Sequence, residues 1–352
     1  MKSGKTEKLH GKIGNSKRRA IDIIMNPNKP LISIITPCFN EELNVENCAS
    51  ELRRVMESRC SEYDYEHIFV DNASTDSTFN RLKEMASKDS RVKVILNSRN
   101  VGPFRNMWHG LKNASGHAVI PLLPADLQDP PNIIPDFVEL WEKGHLVVHG
   151  VRRNRKEFFL MRLARSTYYR VIRKFADVDI PLNAGEFMLI DRRIAKSILS
   201  LDDQYPYIRG LVAQCGVKSA FVDYDWRQRE RGKSRNSLID LVDQAINGFV
   251  STSKIPARMA LLIGFFLSIA GIFGAFVTAL LFLFNRGENI AVGIPTAIVS
   301  ILFFAGIQLL FLGLIGEYVL SIHGQVRKSP PMFEIERINL IDAKSLEKKN
   351  EN

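Results

Sequence analysis

The sequence predicts an α/β domain with a mostly parallel, Rossmann-like sheet, followed by two transmembrane helices. Over residues 31 to about 150, short apolar runs alternate with longer amphipathic stretches, which is typical of β-α units around a parallel sheet. Residues 261–284 contain no charged residue, and residues 290–316 are nearly as apolar. Each of these two runs is long enough to cross the hydrocarbon core of a bilayer as a helix.

The predicted sheet has five strands, each a short run rich in apolar and β-branched residues. They are expected at residues 31–36, 66–70, 92–96, 118–123 and 146–151. Helices are expected at residues 42–57 and 77–88, and the second begins at the capping residue Asp76 or Ser77. Ligands of open α/β sheets bind beyond the carboxyl ends of the strands. The segments expected there are residues 40–42, 71–74 and 124–126.

Residues 122–131 form an apolar run that ends in acidic and amide side chains and a double proline. If the run is a strand, the alternate residues Asp126 and Gln128 lie on the same side of the chain. Two oxygens placed in this way can hold one hard divalent cation, Mg²⁺ or Mn²⁺, which in turn binds a diphosphate. The alternative interpretation is a solvated turn before the two prolines.

The formal net charge of +10 raises the question of nucleic acid, because basic patches bind phosphate backbones. The basic residues lie in an N-terminal tail, beside the apolar runs and over residues 152–173. This distribution favours a face held against anionic lipid, and we expect no nucleic-acid partner. The tail has no apolar segment behind it, so it is interpreted as mobile and not as a signal peptide or a span.

An excess of basic residues lies at the outer ends of the two apolar runs and not in the link between them. Lys254 and Arg258 precede the first run, Arg327 and Lys328 follow the second, and the link at residues 285–289 carries one Arg balanced by one Glu. By the positive-inside rule both ends are cytoplasmic, in an integral protein of the cell (inner) membrane. The alternative is a pair of buried core helices in a soluble protein.

The four cysteines lack any C-x-x-C spacing, and on the cytoplasmic side they are expected to be reduced structural thiols. Residues 158–175 are aromatic and basic, which fits a helix on the membrane surface or an amphipathic core helix equally well. We divide the chain into a basic tail, an α/β domain, an amphipathic juxtamembrane helix, a two-helix transmembrane domain and a cytoplasmic tail. Their ranges are 1–30, 31–236, 237–258, 259–322 and 323–352.

Three strand-end motifs carry a family resemblance: PCFNEE at residues 37–42, VDNASTD at 70–76 and ADLQDPP at 125–131. Together they resemble the family 2 glycosyltransferases of GT-A fold. Within that family the chain is most similar to the polyprenyl-phosphate glycosyltransferases, which include dolichyl-phosphate mannose synthases and bacterial undecaprenyl-phosphate glucosyltransferases. GEY at 316–318 and RKSP at 327–330 match the bacterial branch. The resemblance covers residues 31 to about 335.

The resemblance implies roles for individual residues. Asp71 corresponds to a carboxylate that hydrogen-bonds the nucleotide base, and Glu186 corresponds to an acceptor-side acid. The full nucleotide-sugar set implied is Pro37, Phe39, Glu41, Asp71, Asp126, Gln128, Arg229, Ser234 and Arg235. Catalysis is assigned to Asp126, Glu186, Arg229 and Arg235, and the metal to Asp126 and Gln128. Arg152 and Arg155 are assigned to the lipid phosphate, with the diphosphate as the alternative. The basic loop at 229–235 is suited to folding over a bound diphosphate.

The sequence departs from the family pattern at several of these positions. Pro124 replaces the first Asp of Asp-x-Asp, which removes one carboxylate near the cation. Glu186 replaces an Asp, and Asn72 replaces the second Asp of a pair. Phe39 occupies a position where the family has a Tyr, Met188 one where it has an Arg and Arg235 one where it has a Lys.

The sequence thus predicts inverting transfer of a sugar from a nucleotide sugar, UDP-linked by expectation, to a polyprenyl phosphate at the cytoplasmic membrane face, for synthesis of a cell-envelope glycan or glycolipid. A lipid phosphate is already an oxyanion near neutral pH, so the reaction needs alignment and leaving-group stabilisation more than a base. The alternative is a non-catalytic nucleotide-sugar-binding membrane subunit with a degenerate metal site. A processive polysaccharide synthase is disfavoured because the Gln-x-x-Arg-Trp signature is missing. The partners expected are the nucleotide sugar, the polyprenyl phosphate lipid and the membrane, and a homo-oligomer is left open.

Overall fold

The structure of the chain is a computed structural model. It describes residues 29–153, 184–227, 262–267, 269–271, 273, 274, 276, 277, 280, 293–327 and 332–340. The predicted N-terminal tail, apart from its last two residues, lies outside this described part. So do the whole segment at 158–175 and the predicted juxtamembrane helix at 237–258, together with Arg155, Arg229, Ser234 and Arg235.

An eight-stranded sheet organises the described chain in the order β7-β5-β6-β4-β1-β2-β3-β8. The strands are β1 Leu31–Cys38, β2 Asp64–Asp71, β3 Val92–Asn97, β4 Ala118–Ile120, β5 Val147–Arg153, β6 Ala184–Asp191, β7 Ala220–Asp225 and β8 Glu334–Ile338. The pairings β1–β2, β1–β4, β2–β3 and β5–β7 are parallel, whereas β6 is antiparallel to β4 and β5, and β8 is antiparallel to β3. Six strands therefore share one direction, which confirms a mostly parallel α/β sheet.

Helices cover both faces of this sheet. They are α1 Val45–Arg59, α2 Thr78–Lys88, α3 Pro103–Asn113, α4 Ile134–Glu142, α5 Arg192–Leu199 and α6 Ile208–Gln214. Buried side chains of α1 and α4 pack with Ile32 and Ile34 of β1 on one face. Those of α3, α5 and α6 pack with Ile35 on the other face. The alternation of these β1 side chains between two apolar layers follows from the period of two in a strand.

The predicted strands are all present, with shifted ends. β1 extends to Cys38, two residues beyond the prediction, and Pro37 is tolerated because β4 pairs only with residues 32–34. The prediction that β4 runs to residue 123 is wrong, because the strand ends at Ile120. The chain then leaves the sheet and closes a turn in which the Leu127 N–H donates to the Pro124 carbonyl at 3.0 Å.

The predicted start of the helix at residue 77 is nearly right, since α2 begins at Thr78. Ser77 occupies the N-cap position but its side chain makes no capping hydrogen bond there. The carboxylate of Asp76 accepts from the Thr78 N–H at 3.0 Å instead, so Asp76 satisfies an amide that the helix leaves unpaired.

One helix in the described chain is long and apolar enough to cross a membrane. The helix α7 spans Gly293–Arg327, and its apolar section is Phe303–Arg327. Large apolar side chains along it are exposed, including Phe303 (60%), Leu312 (63%) and Leu320 (63%). The helix is thus unlike the buried core helix of a soluble protein. The other predicted span is described only in part, with a shorter apolar helix at Leu262–Gly271.

Candidate active site

The carboxyl ends of six parallel strands meet at one edge of the sheet, and the antiparallel β6 begins at the same edge. This edge receives the segments that follow β1, β2 and β4, together with the end of β5 and the start of β6. The predicted site residues found there are Pro37, Phe39, Glu41, Asp71, Asp126, Gln128, Arg152 and Glu186. The topology therefore gathers every predicted site residue that the structure describes.

The segments that follow β1 and β2 are joined by hydrogen bonds. The Asn40 N–H donates to Ser74 Oγ at 2.9 Å, and Asn40 Oδ1 accepts from the Thr75 N–H at 2.7 Å. The Glu41 N–H donates to Thr78 Oγ1 at 2.9 Å. Asn40 has a φ of 55° and Ala73 a φ of 61°, in the left-handed region, which costs on the order of 1–3 kcal/mol for a residue with a side chain. The bonds across the two loops hold this conformation.

Asp71 ends β2 beneath these loops and is fully buried. Its Oδ1 accepts from the Ser74 N–H at 2.8 Å, whereas its Oδ2 is shielded from solvent and has no hydrogen-bond partner in the described chain. Burial raises the pKa of this carboxyl, and the Ser74 bonds only partly offset the rise. A buried acceptor without a donor costs about 1–3 kcal/mol, so Oδ2 keeps the capacity to accept a further hydrogen bond.

Asn72 shows why an amide can replace the second acid of the family's pair. Its Nδ2 donates to Asn100 Oδ1 at 2.8 Å, and its Oδ1 accepts from the Val101 N–H at 2.9 Å. A carboxylate could accept from Val101 but could not donate to Asn100. The amide thus ties the end of β2 to the loop that follows β3.

Asp126 and Gln128 lie in a turn and not on a strand, which corrects the geometry expected from the sequence. Leu127 between them has a φ of 54°, and Asp126 Oδ1 accepts from the Gln128 N–H at 3.2 Å. Both side chains are partly exposed, whereas Ala125, Leu127 and Asp129 are buried. The turn therefore still directs the two predicted metal ligands away from the core.

Cys48 on α1 lies beneath this turn and the loop after β1. Its Sγ contacts the Pro124 carbonyl at 3.9 Å. Burial raises the pKa of the Cys48 thiol to about 12, with smaller contributions in the same direction from the carboxylates of Asp126 and Glu41. Two predicted site acids from separate loops thus act on one thiol, which its burial keeps protonated.

The described residues contain no cluster of three or more His, Cys, Asp or Glu side chains that could hold a metal. Asp126 and Gln128 nevertheless fit a hard cation of the Mg²⁺ type, which binds through one or two protein oxygens and takes its other ligands from water and substrate phosphates. One carboxylate and one amide at an open edge are such a donor set. Pro124 contributes only its carbonyl, which is engaged by Leu127.

Arg152 at the end of β5 is held by a buried acid. Its Nε and Nη2 donate to Asp129 at 2.9 and 2.6 Å, and Nε also donates to Tyr224 Oη at 3.1 Å. Burial alone would lower the pKa of this guanidinium, but the charge and hydrogen bonds of Asp129 raise it well above its usual value. Arg152 therefore stays positive at the edge where the predicted lipid phosphate would lie.

Glu186 at the start of β6 faces Arg209 of α6. Burial raises the pKa of its carboxyl, and the charge and backbone N–H of Arg209 oppose that rise. Its Oε2 is shielded from solvent without a hydrogen-bond partner in the described residues. Arg209 itself donates to the Ala184 carbonyl and to Tyr207 Oη, so it fixes the strand end that carries Glu186.

Comparison with known proteins identifies the family. Residues 33–199 match the family described as Glycosyl transferase family 2. The glycosyltransferase YkcC of Bacillus subtilis is 34% identical over 315 residues, which cover 89% of this chain and 96% of that protein. The chain belongs to glycosyltransferase family 2. This confirms the resemblance carried by the three strand-end motifs, and the protein is an enzyme of the glycosyltransferase class.

Another relative of this glycosyltransferase matches a similar length of the chain. The bactoprenol glucosyl transferase of Shigella phage SfII is 32% identical over 301 residues, covering 85% of this chain and 96% of that protein. Among solved structures, the mannosyltransferase PcManGT from Pyrobaculum calidifontis, in complex with GDP-Man and Mn²⁺, superposes with a TM-score of 0.46 at 16% identity. That superposition covers 92% of this chain and 97% of the other.

Three residues that bond to the candidate site were not singled out from the sequence. Asp129, Tyr224 and Arg209 all bond to predicted site residues or to their strands. The local sequence signal is the alternation of apolar and polar residues over 125–128, because Asp129 falls where that alternation would place an apolar residue. A buried aspartate implies a cationic partner, but nothing local identifies that partner as Arg152.

Proposed function

We propose that this glycosyltransferase transfers a sugar from a nucleotide sugar to a polyprenyl phosphate at the cytoplasmic face of the cell membrane, with inversion at the anomeric carbon. The observation that carries the proposal is the similarity to the bactoprenol glucosyl transferases, which extends over 96% of their length. The aligned region is much longer than the matched catalytic segment at 33–199. The long apolar helix gives this chain the means to meet a lipid acceptor.

The donor site is proposed at the edge that carries Asp71 and Asp126. The unpaired Oδ2 of Asp71 would accept an N–H of the nucleotide base, because a buried carboxylate gains most from a donor that the ligand brings. Phe39 and Glu41 would border the nucleotide, next to Pro37. Arg229, Ser234 and Arg235 would close over the diphosphate, since arginine forks match phosphate oxygens.

Asp126 and Gln128 would hold the divalent cation, Mg²⁺ or Mn²⁺. When bound, the cation would neutralise charge on the departing diphosphate. A single carboxylate suffices if phosphate oxygens and water complete the coordination. The partial exposure of both side chains in the segment at residues 124–128 supports this arrangement.

The acceptor side is proposed around Arg152 and Glu186. The lipid phosphate brings its own nucleophilic oxygen, so the protein has to orient it toward the anomeric carbon rather than deprotonate it. Arg152 would hold the phosphate, with Arg155, and Glu186 would fix its approach. Burial raises the pKa of the Glu186 carboxyl, and the charges of Arg209 and Arg152 oppose that rise.

The test is direct synthesis. The purified full chain in detergent is incubated with undecaprenyl phosphate and a panel of UDP- and GDP-sugars in the presence of Mg²⁺ or Mn²⁺. The expected result is a glycolipid from one donor, with inverted configuration by NMR. The absence of product with every donor, from protein that binds a nucleotide sugar, would instead favour a non-catalytic binding subunit.

A further inference from the structure

Asp129 is a buried acid directly behind the proposed metal ligands. Only 1% of it is exposed, and its carboxylate accepts three hydrogen bonds. Arg152 donates to Oδ1 from Nε at 2.9 Å and to Oδ2 from Nη2 at 2.6 Å, and Tyr224 Oη donates to Oδ1 at 2.5 Å. The carboxylate thus binds the guanidinium in a bidentate arrangement, which fixes the plane of the guanidinium as well as its position.

Three separate segments meet at this carboxylate. Asp129 follows β4, Arg152 ends β5 and Tyr224 is near the end of β7. Gly185 at the start of β6 faces the guanidinium, because a Cβ there would lie 3.4 Å from Arg152 Nη2. A backbone hydrogen bond from the Arg227 N–H to the Gln128 carbonyl at 3.0 Å joins the end of β7 to the same loop. The side chain of Arg152 is therefore enclosed on several sides.

Stability alone is a poor reason for such an arrangement. A buried ion pair loses as much in desolvation as it gains in attraction, and apolar residues of similar volume often serve as well. The ion pair lies at the edge of the sheet that carries the candidate site, where the charge of Arg152 also acts on Glu186. A guanidinium that is already fixed loses little conformational freedom when it binds an anion, which favours affinity for a phosphate.

We propose that Asp129 and Tyr224 are positioning residues that hold Arg152 in the orientation needed to bind the phosphate of the lipid acceptor. Asp129 and Tyr224 use the N–H of Nε and one N–H of Nη2, so the phosphate would meet the N–H groups left on Nη1 and Nη2. This inference rests on the proposed acceptor role of Arg152. It assigns Asp129 a different task from that of Asp126, although only Leu127 and Gln128 separate them.

The experiment compares Asp129→Asn and Tyr224→Phe with the wild type in steady-state transfer. We expect Asp129→Asn to raise the KM for undecaprenyl phosphate about tenfold, with little change in the KM for the nucleotide sugar, and Tyr224→Phe to have a smaller effect in the same direction. In an Arg152→Gln background, Asp129→Asn should add nothing further, because it acts through that arginine. Equal effects on both KM values, or additive effects, would overturn the proposal.

A matched control is available at the opposite edge of the sheet. Asp191 is also a largely buried aspartate that accepts from an arginine, Arg193, and from the Trp141 indole. Asp191→Asn should leave the KM for the lipid phosphate unchanged. Thermal unfolding of each variant separates loss of folding from loss of orientation, and Tyr224→Phe retains the ion pair if Asp129→Asn does not fold.

Binding of farnesyl phosphate, measured by calorimetry on the full chain, makes the test independent of turnover. Wild type should bind it, Asp129→Asn should bind it about tenfold more weakly, and farnesol should not compete. If wild type produces no glycolipid but shows this pattern, the proposed reaction fails and the positioning role stands. If wild type does not bind farnesyl phosphate, or Asp129→Asn binds it equally well, the positioning role is wrong.

Discussion

At the scale of one residue, the buried carboxylate of Asp71 at the candidate site lowers the stability of the folded protein. Its Oδ1 is bonded to Ser74, but its Oδ2 is buried without a donor in the described chain. Burial raises the pKa of this acid, which means that its ionised form is less favourable in the folded state than in the unfolded chain. The penalty is present at neutral pH and is relieved as the pH falls and the group is protonated.

Asp71→Asn is therefore expected to separate stability from binding. The amide keeps the Ser74 bond and removes the buried charge, so the melting temperature should stay the same or rise. Affinity for the nucleotide should fall about tenfold to a hundredfold, because a charged hydrogen bond is worth about 1.5–3 kcal/mol. Calorimetric titration with the nucleotide and a thermal unfolding scan check the two effects. A variant that loses stability but binds normally would contradict a base-binding role.

A second prediction concerns the cation proposed at Asp126. Asp126→Ala should abolish transfer while the protein stays folded, because a partly exposed turn carboxylate adds little to packing. Pro124→Asp should restore a second acid near the cation and lower the Mg²⁺ or Mn²⁺ concentration needed for half-maximal nucleotide binding and activity. Metal titration of both variants beside wild type provides the measurement. If Pro124→Asp creates activity in a protein that otherwise has none, the chain is better described as a binding subunit.

At the scale of the elements, the strand β8 shows which parts of the fold the sequence could predict. The strands β1 to β5 were predictable because each is a local apolar run. The candidate site residues of the loops after β1, β2 and β4 were predictable because these loops follow such strands. The sequence EIERI of β8 has no apolar face, and it forms a strand only because β3, far away in sequence, offers an edge. The contacts of Asp129 were likewise not predictable, because its partner Tyr224 is 95 residues away in the sequence.

Polar side chains fasten β8 to the domain. Glu334 accepts from His109 Nε2 at 2.7 Å and is bonded by Arg337 at 2.7 Å, and His109 Nδ1 lies 2.8 Å from Asn97 Oδ1. Asn97 Nδ2 donates to Asn106 Oδ1, and Asn106 Nδ2 donates to the carbonyl of Val70, one residue before Asp71. A chain of hydrogen bonds therefore links the strand that follows the long helix to the strand that ends in the proposed base-binding acid.

Acid should weaken this attachment in a defined pH range. Burial tends to raise the pKa of Glu334, but the hydrogen bonds from His109 and Arg337 outweigh it and lower the pKa from 4.5 to about 2. A lowered folded-state pKa gives stability that is present above about pH 4.5 and is lost as the pH falls toward 2. Wild type should thus unfold at a higher temperature than Glu334→Gln at pH 5, with a smaller difference at pH 3. Glu336→Gln, which removes only the exposed bridge to Lys83, is the control and should show no such dependence.

At the scale of the whole molecule, the end of the long helix α7 contacts the catalytic domain. Gln325 Nε2 donates to Asp203 Oδ1 at 2.5 Å, and the Gln204 N–H donates to Gln325 Oε1 at 3.1 Å. Gly324 allows this approach, because a Cβ there would lie 2.5 Å from the ring of Tyr205. These contacts and β8 hold the C-terminal end of the helix against the domain, so the two would lie on the same side of the proposed membrane.

Site-specific labelling tests the proposed topology. The basic flanks of the apolar runs predict that residues 285–289 lie outside the cell and that the catalytic domain and the C-terminal tail lie inside. Asn289→Cys should react with an impermeant thiol reagent on intact cells, whereas Asn352→Cys should react only after permeabilisation. The native Cys215, which is partly exposed, is first replaced by Ser, since the other three thiols are buried. The reverse labelling pattern would deny the enzyme access to cytoplasmic nucleotide sugars.

The position of β8 in the chain also determines the order in which the protein is made. β3 emerges from the ribosome early, but its partner β8 lies beyond α7, so the outer edge of β3 stays unpaired until the helix has been synthesised. An unpaired edge strand is a template for aggregation. Synthesis of the chain therefore passes through an intermediate with an unpaired sheet edge, and the sheet can close only after the long helix has been made.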